Sequence, residues 1–296
     1  MRFTIRAISF FLALSCFAVL ASCGNNGANE SETASPFAVE SAEPSTESVD
    51  HTEEGVRLLY KVSNPAFGSW TVYDYNEHGD IVTEEHSDGQ IKYYTYDDSG
   101  RLARTDLKNG GGKVLASEKW EYDASGKLFK YTNWAGSLSN TEYVYNEDGR
   151  ITKAIVEDDD GIREQIYEYF SDGNYSVSGK NPNGQEYVVM YNKNGNIIST
   201  YNDGTKMSEY TYDTGGKVLR YESYYNSEII EYTEFHYDEK GVLVEKEVST
   251  EPGRVYYERY EYDDLGEMTR ITRITPSGEE RIVEEREYTI FSISID

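Results

Sequence analysis

The chain has 296 residues, and its 54 acidic side chains outnumber the 28 basic ones, which gives a formal net charge of −26 at pH 7. A surface of this sign repels nucleic-acid phosphates, heparin-like polymers and anionic lipid headgroups. The same charge favours solubility and attracts cations or basic partners. We therefore expect no nucleic-acid partner.

The first 23 residues have the pattern of a secretion signal. Two arginines lie within the first six residues, and residues 8–20 form an apolar stretch that is short for a membrane-spanning helix. The four residues that end at Cys23, Leu-Ala-Ser-Cys, resemble the bacterial lipobox, in which the cysteine becomes the lipid-modified N-terminus. We expect residues 1–22 to be a lipoprotein signal peptide and Cys23 to carry the lipid.

Residues 23–56 differ in composition from the rest of the chain. They are rich in Gly, Asn, Ser, Thr, Ala and Glu, and they contain eight acidic residues without a single Lys or Arg. A segment with so little apolar content does not order itself, so we expect a disordered acidic tether. Cleavage of the signal peptide would remove Cys16 and leave one cysteine, so we expect no disulfide.

One short motif recurs about nine times in the remaining residues, 57–296. It reads aromatic, any residue, Tyr, Asp or Asn, two residues, Gly, any residue, aliphatic, as in Tyr94–Leu102 and Tyr210–Val218. The motif glycines are 21 to 26 residues apart, with a mean of about 23. A fixed period of this kind predicts an array of one supersecondary unit. The fifth copy, which ends at Gly173, lacks the acidic or amide residue after its second tyrosine.

A second turn signal lies between successive motif glycines, for example Ser87–Gly89 or Pro182–Gly184. The runs between turns are roughly five to eight residues long and rich in Tyr, Thr, Val and Ile, which is typical of strands. We therefore expect an all-β fold. It is a repetitive antiparallel β-hairpin meander of about 9 repeats and about 18 to 20 strands, curled into an open spiral or partial shell.

The Asp-x-x-Gly element of each motif has a local physical explanation. The side chain of Asp97 can accept a hydrogen bond from the backbone two residues on, and Gly100 supplies the positive φ of a type I turn closed by a bulge. This turn places Tyr96 opposite Leu102 and predicts one face of tyrosines and aliphatic residues, with charges on the other face. We interpret the motif as architecture, carried by Tyr96, Asp97, Gly100, Tyr122, Asp123, Gly126, Tyr145, Asn146, Gly149, Tyr212, Asp213, Gly216, Tyr262, Asp263 and Gly266.

The motif copies resemble the YD repeats of Rhs-type proteins, which share the Tyr-Asp pair, the glycine and the aliphatic residue after it. The resemblance covers roughly residues 57 to 291 and implies a long β-hairpin array that spirals into a shell. Some members of that family enclose a toxic C-terminal domain. This sequence has no Asp-Pro dipeptide of the kind that marks the boundary of the Rhs core, and it ends directly after the last repeat. We expect a bacterial lipoprotein without a toxin domain.

Catalytic and metal-binding motifs are not recognisable in the sequence. His78 and His86 belong to one hairpin but have no Cys or third His at ligand spacing, and His236 occupies a variable position of a repeat. The acidic run Glu157–Asp160 could attract Ca²⁺, yet neither of the usual calcium-loop patterns is present, so we interpret it as a charged loop. With 54 carboxylates no catalytic pair stands out. We expect no metal, no cofactor and no enzymatic activity.

Aromatic residues outside the motif positions are the remaining indication of function. Rigid rings beside Asp, Asn and Thr suit contact with proteins and also stacking on sugars, and the candidates for such contact are Trp134, Tyr201, Tyr224 and Tyr225. We expect a lipid-anchored, extracytoplasmic protein of the bacterial cell envelope whose array is a non-catalytic binding or structural surface for a protein partner. Glycan or cell-wall binding is the alternative, and a carboxylate-based glycan-active enzyme is a third hypothesis.

Overall fold

The computed structural model describes residues 56–251 and 253–291. The predicted signal peptide, Cys23 and the predicted tether up to residue 55 lie outside the described residues. Among the residues that are described, no helix has the length and apolar character needed to cross a bilayer.

The described chain is a meander of twenty antiparallel strands, each paired with its neighbours in sequence. This confirms the predicted all-β hairpin repeat. In chain order the strands are β1 (Val56–Asn64), β2 (Ser69–Tyr75), β3 (Ile81–His86), β4 (Ile91–Tyr96), β5 (Leu102–Lys108), β6 (Val114–Tyr122), β7 (Leu128–Trp134), β8 (Leu138–Tyr145), β9 (Ile151–Asp158), β10 (Gly161–Tyr169), β11 (Tyr175–Lys180), β12 (Glu186–Tyr191), β13 (Ile197–Asn202), β14 (Thr205–Tyr212), β15 (Val218–Tyr225), β16 (Glu228–Tyr237), β17 (Leu243–Glu251), β18 (Arg254–Tyr262), β19 (Met268–Ile274) and β20 (Glu280–Phe291).

The sheet is closed, and the predicted open spiral or partial shell is wrong on this point. The last strand, β20, pairs with β19 on one side and with β1 on the other, from Val56 opposite Phe291 to Ser63 opposite Glu285, with one bulge between Leu59 and Lys61. The twist that accumulates along successive strands brings the two ends of the meander together. Closure pairs the backbone of both terminal strands, which would otherwise be exposed edges.

The turns of the meander fall into two groups at opposite ends of the strands. Antiparallel neighbours reverse direction at each turn, so the nine turns that contain a motif glycine all lie at one end, which we call the motif rim. The turns between motif copies lie at the other end, the variable rim. Val56, where the described chain begins, is at the motif rim, because the first turn, Pro65–Gly68, belongs to the variable rim.

The two faces of the sheet differ in burial. All the buried hydrophobic side chains of the described residues, including Tyr73, Trp120 and Tyr143, lie on the face that carries the motif tyrosines, which we call the tyrosine face. Because one face of a closed sheet is enclosed, this face is the inner one and the other is the outer face. Tyrosine is the commonest buried hydrophobic residue of the described chain, as in the cluster around Tyr131 and Tyr167.

The tyrosine face also carries carboxylates, which the alternating pattern did not predict. Glu84 is only 6% exposed and accepts a hydrogen bond of 2.7 Å from the hydroxyl of Tyr94. Glu118 accepts hydrogen bonds from Thr105 and Tyr131. A buried carboxylate is tolerated when its oxygens are hydrogen-bonded, and tyrosine hydroxyls meet that need within the core.

Candidate functional site

A series of tyrosine hydroxyls links neighbouring hairpins. In six motif copies the hydroxyl of the second tyrosine donates a hydrogen bond to the backbone carbonyl of the aliphatic residue that follows the preceding motif turn. Tyr75 donates likewise to Leu59 of β1, and Tyr288 of β20, outside the motif copies, donates to Met268. Eight such bonds have lengths of 2.5 to 2.9 Å, and their donor and acceptor residues are Tyr75 and Leu59, Tyr96 and Ile81, Tyr122 and Leu102, Tyr145 and Leu128, Tyr212 and Ile197, Tyr237 and Val218, Tyr262 and Leu243, and Tyr288 and Met268. We call this series the tyrosine ladder. These hydroxyls therefore hold neighbouring hairpins together, and their protons are not available to a ligand.

The acidic or amide residue of the motif is equally committed, to its own turn. Asp97 Oδ1 accepts hydrogen bonds from the backbone N–H groups of Ser99 and Arg101, and Gly100 takes a φ of 73°. These bonds favour the ionised form, so the pKa of Asp97 lies below its usual value, chiefly through the hydrogen bond from Arg101. Asp123 makes the corresponding bonds in its turn.

The basic residue after several motif glycines packs on the ring of the next repeat. The Arg101 guanidinium lies 4.3 Å from the ring centre of Tyr122, and Lys127 Nζ lies 5.4 Å from that of Tyr145. A cation over the face of an aromatic ring is attracted by its quadrupole. The motif residues are therefore used within the array, and a ligand must be sought elsewhere.

The degenerate fifth repeat interrupts this regular scheme. Phe170 stands where the other copies have Asp or Asn, and Tyr175 takes the place of the aliphatic residue. Here rings stack on one another: Tyr169 and Tyr175 have ring centres 5.4 Å apart, and Tyr175 and Tyr191 are 4.7 Å apart with nearly parallel planes. Stacking thus replaces the ladder between β10 and β12.

A cleft opens beside the same strands, towards the variable rim. Strand β10 pairs with β11 only from Ile166 to Tyr169, although β10 begins at Gly161. Beyond this point Gly179 has no side chain, and the hydroxyl of Tyr187 lies only 2.8 Å from the position that a Cβ of residue 179 would occupy. The cleft has a volume of about 500 Å³ and is lined by Ile162, Arg163, Ile166, Ser178, Lys180 and Val188, among others.

A line of neighbouring residues, one on each strand from β10 to β16, runs from this cleft across the outer face. Cross-strand pairing joins Ile166 to Ser178, Ser178 to Val188, Val188 to Tyr201 and Tyr201 to Lys206. The Lys206 ammonium then packs on the ring of Tyr224, and Tyr224 is opposite Ile229. We call this line the outer row: Ile166, Ser178, Val188, Tyr201, Lys206, Tyr224 and Ile229. At about 4.8 Å per strand its six steps span about 29 Å.

The borders of the outer row carry balanced charge. Glu164 pairs with Lys153, Glu209 with Lys206, and Glu222 with Arg220, at distances of 2.7 to 2.9 Å. The hydroxyl of Tyr224 donates to Glu222 and Glu209. An apolar and aromatic centre with a polar border is the usual composition of a protein interface.

The same contacts raise the pKa values of two members of the outer row, Tyr224 and Lys206. The hydrogen bond to Glu222 raises the pKa of the Tyr224 hydroxyl, and burial adds to this effect. The hydrogen bond with Glu209 raises the pKa of the Lys206 ammonium. At neutral pH the row therefore presents a neutral phenol and a charged ammonium.

The four aromatic residues singled out in the sequence all lie near the variable rim, but they do not form one site. Tyr201 and Tyr224 belong to the outer row, and Tyr225 is 60% exposed at the turn that follows. Trp134 is at the end of β7, opposite Leu138, and is eight strands from Tyr224. At about 4.8 Å per strand this is about 38 Å along the sheet.

The sequence reading missed the aliphatic members of the outer row. Ile166 and Ile229 are 43% and 44% exposed on a face where charges were expected. Ile166 had a signal in the sequence, because its strand position alternates away from the motif tyrosines Tyr167 and Tyr169. Ile229 had none: it has the parity of Tyr237 and reaches the outer face only through the bulge between Ile229 and Glu231. A search restricted to aromatic residues could not find them.

One group of side chains in the described residues has the composition of a metal site. Glu234 and His236 lie on the outer face of β16, and Glu247 is opposite Glu234 on β17. One ligand atom from each of the three lies within 4.8 Å of the others. The acidic run that could attract Ca²⁺ is used differently, because Asp158 pairs with Arg163 and accepts a hydrogen bond from the Asp160 N–H.

Comparison with known proteins gives relatives that are toxin-related. No protein-family model matches the chain. It is 24% identical over 223 residues to "Double-stranded DNA deaminase toxin A" of Burkholderia cenocepacia, a match that covers 71% of this chain and 14% of that protein. It is 27% identical over 190 residues to "Toxin subunit YenC2" of Yersinia entomophaga, covering 58% of this chain and 18% of that protein. The chain thus spans less than a fifth of the length of either relative.

Solved structures give looser similarities. A complex described as TcdB2-TccC3-TEV is 12% identical, with a TM-score of 0.34 over 74% of this chain and 15% of that one. A porin-like protein from Bacteroides uniformis is 13% identical, with a TM-score of 0.36 over 78% of this chain and 96% of that one. Both TM-scores lie below 0.5.

Proposed function

We propose that this chain is a lipid-anchored, extracytoplasmic protein of the YD-repeat type whose array binds a protein partner without catalysis, and that the outer row is the contact surface. The observation that carries the proposal is that two sets of side chains have different roles. Motif side chains make hydrogen bonds within the ladder and the turns, whereas the outer row consists of side chains that differ from repeat to repeat.

The length of the outer row supports a macromolecular partner. An extended peptide advances about 3.3 Å per residue, so a row of about 29 Å fits roughly nine residues of a partner strand or loop. Its aromatic and aliphatic centre supplies the buried contact, and its ion-paired border supplies orientation. Tyr225 and Ile229 extend the surface to the variable rim.

The envelope location rests on the sequence of the first 23 residues, and relatedness to YD-repeat proteins rests on the motif and on the toxin-related relatives. A lipid at Cys23 would hold the array at the membrane surface. The described chain begins at the motif rim, so the variable rim is at the opposite end of the strands from that starting point.

Glycan binding is the second candidate, favoured by the exposed ring of Tyr225 beside the outer row. Aromatic rings with nearby carboxylates and hydroxyls suit stacking on sugars. Trp134 would not join Tyr225 in holding one short glycan, because these two residues are also eight strands apart.

Site-specific photocrosslinking in cells that make the protein tests the proposal. We expect p-benzoylphenylalanine in place of Ile166 or Ile229 to give a covalent protein adduct of defined mass. The matched control is the same residue in place of Tyr93, which is 37% exposed on the outer face of β4. Adducts at all three positions, or at none, would contradict a contact at the outer row.

The double variant Tyr201→Ala with Tyr224→Ala separates the two candidates. We expect it to abolish the protein adduct at Ile229 while leaving the folded array intact by circular dichroism. Saturable binding of purified cell-wall polysaccharide that the double variant loses, without any protein adduct, would favour the glycan candidate.

A further inference from the structure

We propose that Glu234, His236 and Glu247 form a binding site for a divalent transition-metal ion such as Zn²⁺ on the outer face of β16 and β17. The proposal starts from the strand register. Glu234 is directly opposite Glu247, and His236 is directly opposite Glu245, so two adjacent cross-strand pairs place three carboxylates and one imidazole together. The ligand atoms of Glu234, His236 and Glu247 are already within 4.8 Å of one another.

The charge arrangement favours a cation between these groups. Like charges directly opposite each other in an antiparallel pair are destabilising, and Glu234 and Glu247 are such a pair. The facing cations are Arg220, which is shared between Glu234 and Glu222, and Arg259, which lies 3.9 Å from Glu245. Four carboxylates therefore face two guanidinium groups, which leaves a local excess of negative charge.

Neighbouring side chains hold the two carboxylates in place. The hydroxyl of Tyr232 donates a hydrogen bond of 2.7 Å to Oε1 of Glu247, and Arg220 binds Oε1 of Glu234. The second oxygen of each carboxylate is left for an ion. Partners that orient metal ligands in this way strengthen metal sites.

The ligand types select the metal. An imidazole nitrogen with carboxylate oxygens suits Zn²⁺ or a similar ion, whereas Ca²⁺ and Mg²⁺ prefer oxygen ligands alone. His236 is exposed and three protein ligands leave one position of a tetrahedral ion open. This site lies outside the outer row, so it does not depend on the function proposed above.

Calorimetric titration of the purified full-length chain with Zn²⁺ alone tests the inference. We expect one saturable site per chain, weakened at least tenfold in His236→Ala and in Glu247→Gln. The matched control is His78→Ala, because His78 is an exposed histidine 3.7 Å from Glu77 in a motif turn. Unchanged Zn²⁺ binding in both His236→Ala and Glu247→Gln, or equal losses in His236→Ala and His78→Ala, would overturn the assignment.

Two further measurements show whether a variant loses Zn²⁺ binding only because it is unfolded, and which ion the site prefers. Circular dichroism of each variant without metal is expected to match that of the parent chain, and Zn²⁺ is expected to raise the Tm of the parent but not of His236→Ala. Titration with Ca²⁺ is expected to give weaker binding that is indifferent to His236. Tighter binding of Ca²⁺ than of Zn²⁺ would contradict a role for the imidazole.

Discussion

The hydroxyl of Tyr122 donates a hydrogen bond of 2.9 Å to the backbone carbonyl of Leu102, so a side chain of one hairpin binds the backbone of the hairpin before it. The bond crosses from β6 to β5 at the motif rim, where the motif bulge displaces the strand from regular pairing. It explains why the motif specifies tyrosine and not phenylalanine at this position.

Replacement of Tyr122 by phenylalanine should therefore weaken the array without changing its shape. A hydrogen bond of this kind contributes about 1 kcal/mol to the free energy of unfolding, and the ring and its contact with Arg101 remain. Urea denaturation followed by circular dichroism measures the change. Tyr93→Phe, which removes the same atom from an exposed ring, should leave the midpoint unchanged. Equal effects of the two variants would contradict the ladder.

Restoring the motif in the fifth repeat should stabilise its turn. In Phe170→Asp the new carboxylate would accept a hydrogen bond from the N–H of Asp172, as Asp97 does from Ser99, and would compete with Asp172 Oδ1 for the N–H of Asn174. Phe170 is 38% exposed, so its replacement also removes apolar burial, and Phe170→Ala measures that loss. We expect Phe170→Asp to exceed Phe170→Ala by about 0.5–1 kcal/mol in the free energy of unfolding measured by urea denaturation, and equal stabilities would contradict a role for the acceptor.

A side chain at Gly179 should disturb the cleft. A Cβ there would lie 2.8 Å from the Tyr187 hydroxyl and 3.0 Å from the carbonyl oxygen of Glu164, and the backbone oxygen cannot move away freely. We expect Gly179→Ala to cost about 1–3 kcal/mol of stability, the usual range for overpacking. Gly110→Ala is the matched control, since its nearest atom would be 3.6 Å away. A neutral Gly179→Ala would show that the cleft is wider in solution.

Stability should fall in acid because of the motif turns. Hydrogen bonds and neighbouring cations lower the pKa values of Asp97, Asp123 and Asp263 in the folded state. Their contribution is present above the unfolded pKa of about 3.9 and is lost as the pH falls through the lower folded values. Urea midpoints measured from pH 6 to pH 2 should decline below about pH 4. In Asp123→Asn, which keeps an acceptor, the decline should be shallower.

Alkaline conditions should unfold the array through its tyrosines. Burial raises the pKa of Tyr96, Tyr191 and Tyr212 to about 12. Since the folded pKa exceeds the unfolded value of about 10, this contribution is intact below pH 10 and is lost as the pH rises towards 12. Absorbance at the tyrosinate band should rise in one cooperative step together with the loss of β-sheet circular dichroism. Gradual ionisation without unfolding would contradict burial of these rings.

The strands and turns could be predicted from the sequence because they depend on local chemistry. The pairing of Tyr96 with Leu102, for example, follows from three turn residues and from alternation. Closure could not be predicted, because pairing of Val56 with Phe291 depends on twist summed over twenty strands and no motif marks it. The outer row could not be predicted either, since the pairing of Tyr201 with Lys206 and of Tyr224 with Ile229 depends on bulges near the variable rim that no motif marks.

Every bond of the tyrosine ladder runs in one direction, from a later residue to an earlier one, beginning with Tyr75 to Leu59 and ending with Tyr288 to Met268. A hairpin that has just left the ribosome or a translocation channel therefore meets an acceptor that is already in place. The array can assemble in the order of its synthesis, with the pairing of β20 and β1 as the final step. Two edges, that of β1 and that of the newest strand, stay exposed until this step, and closure then removes both at once.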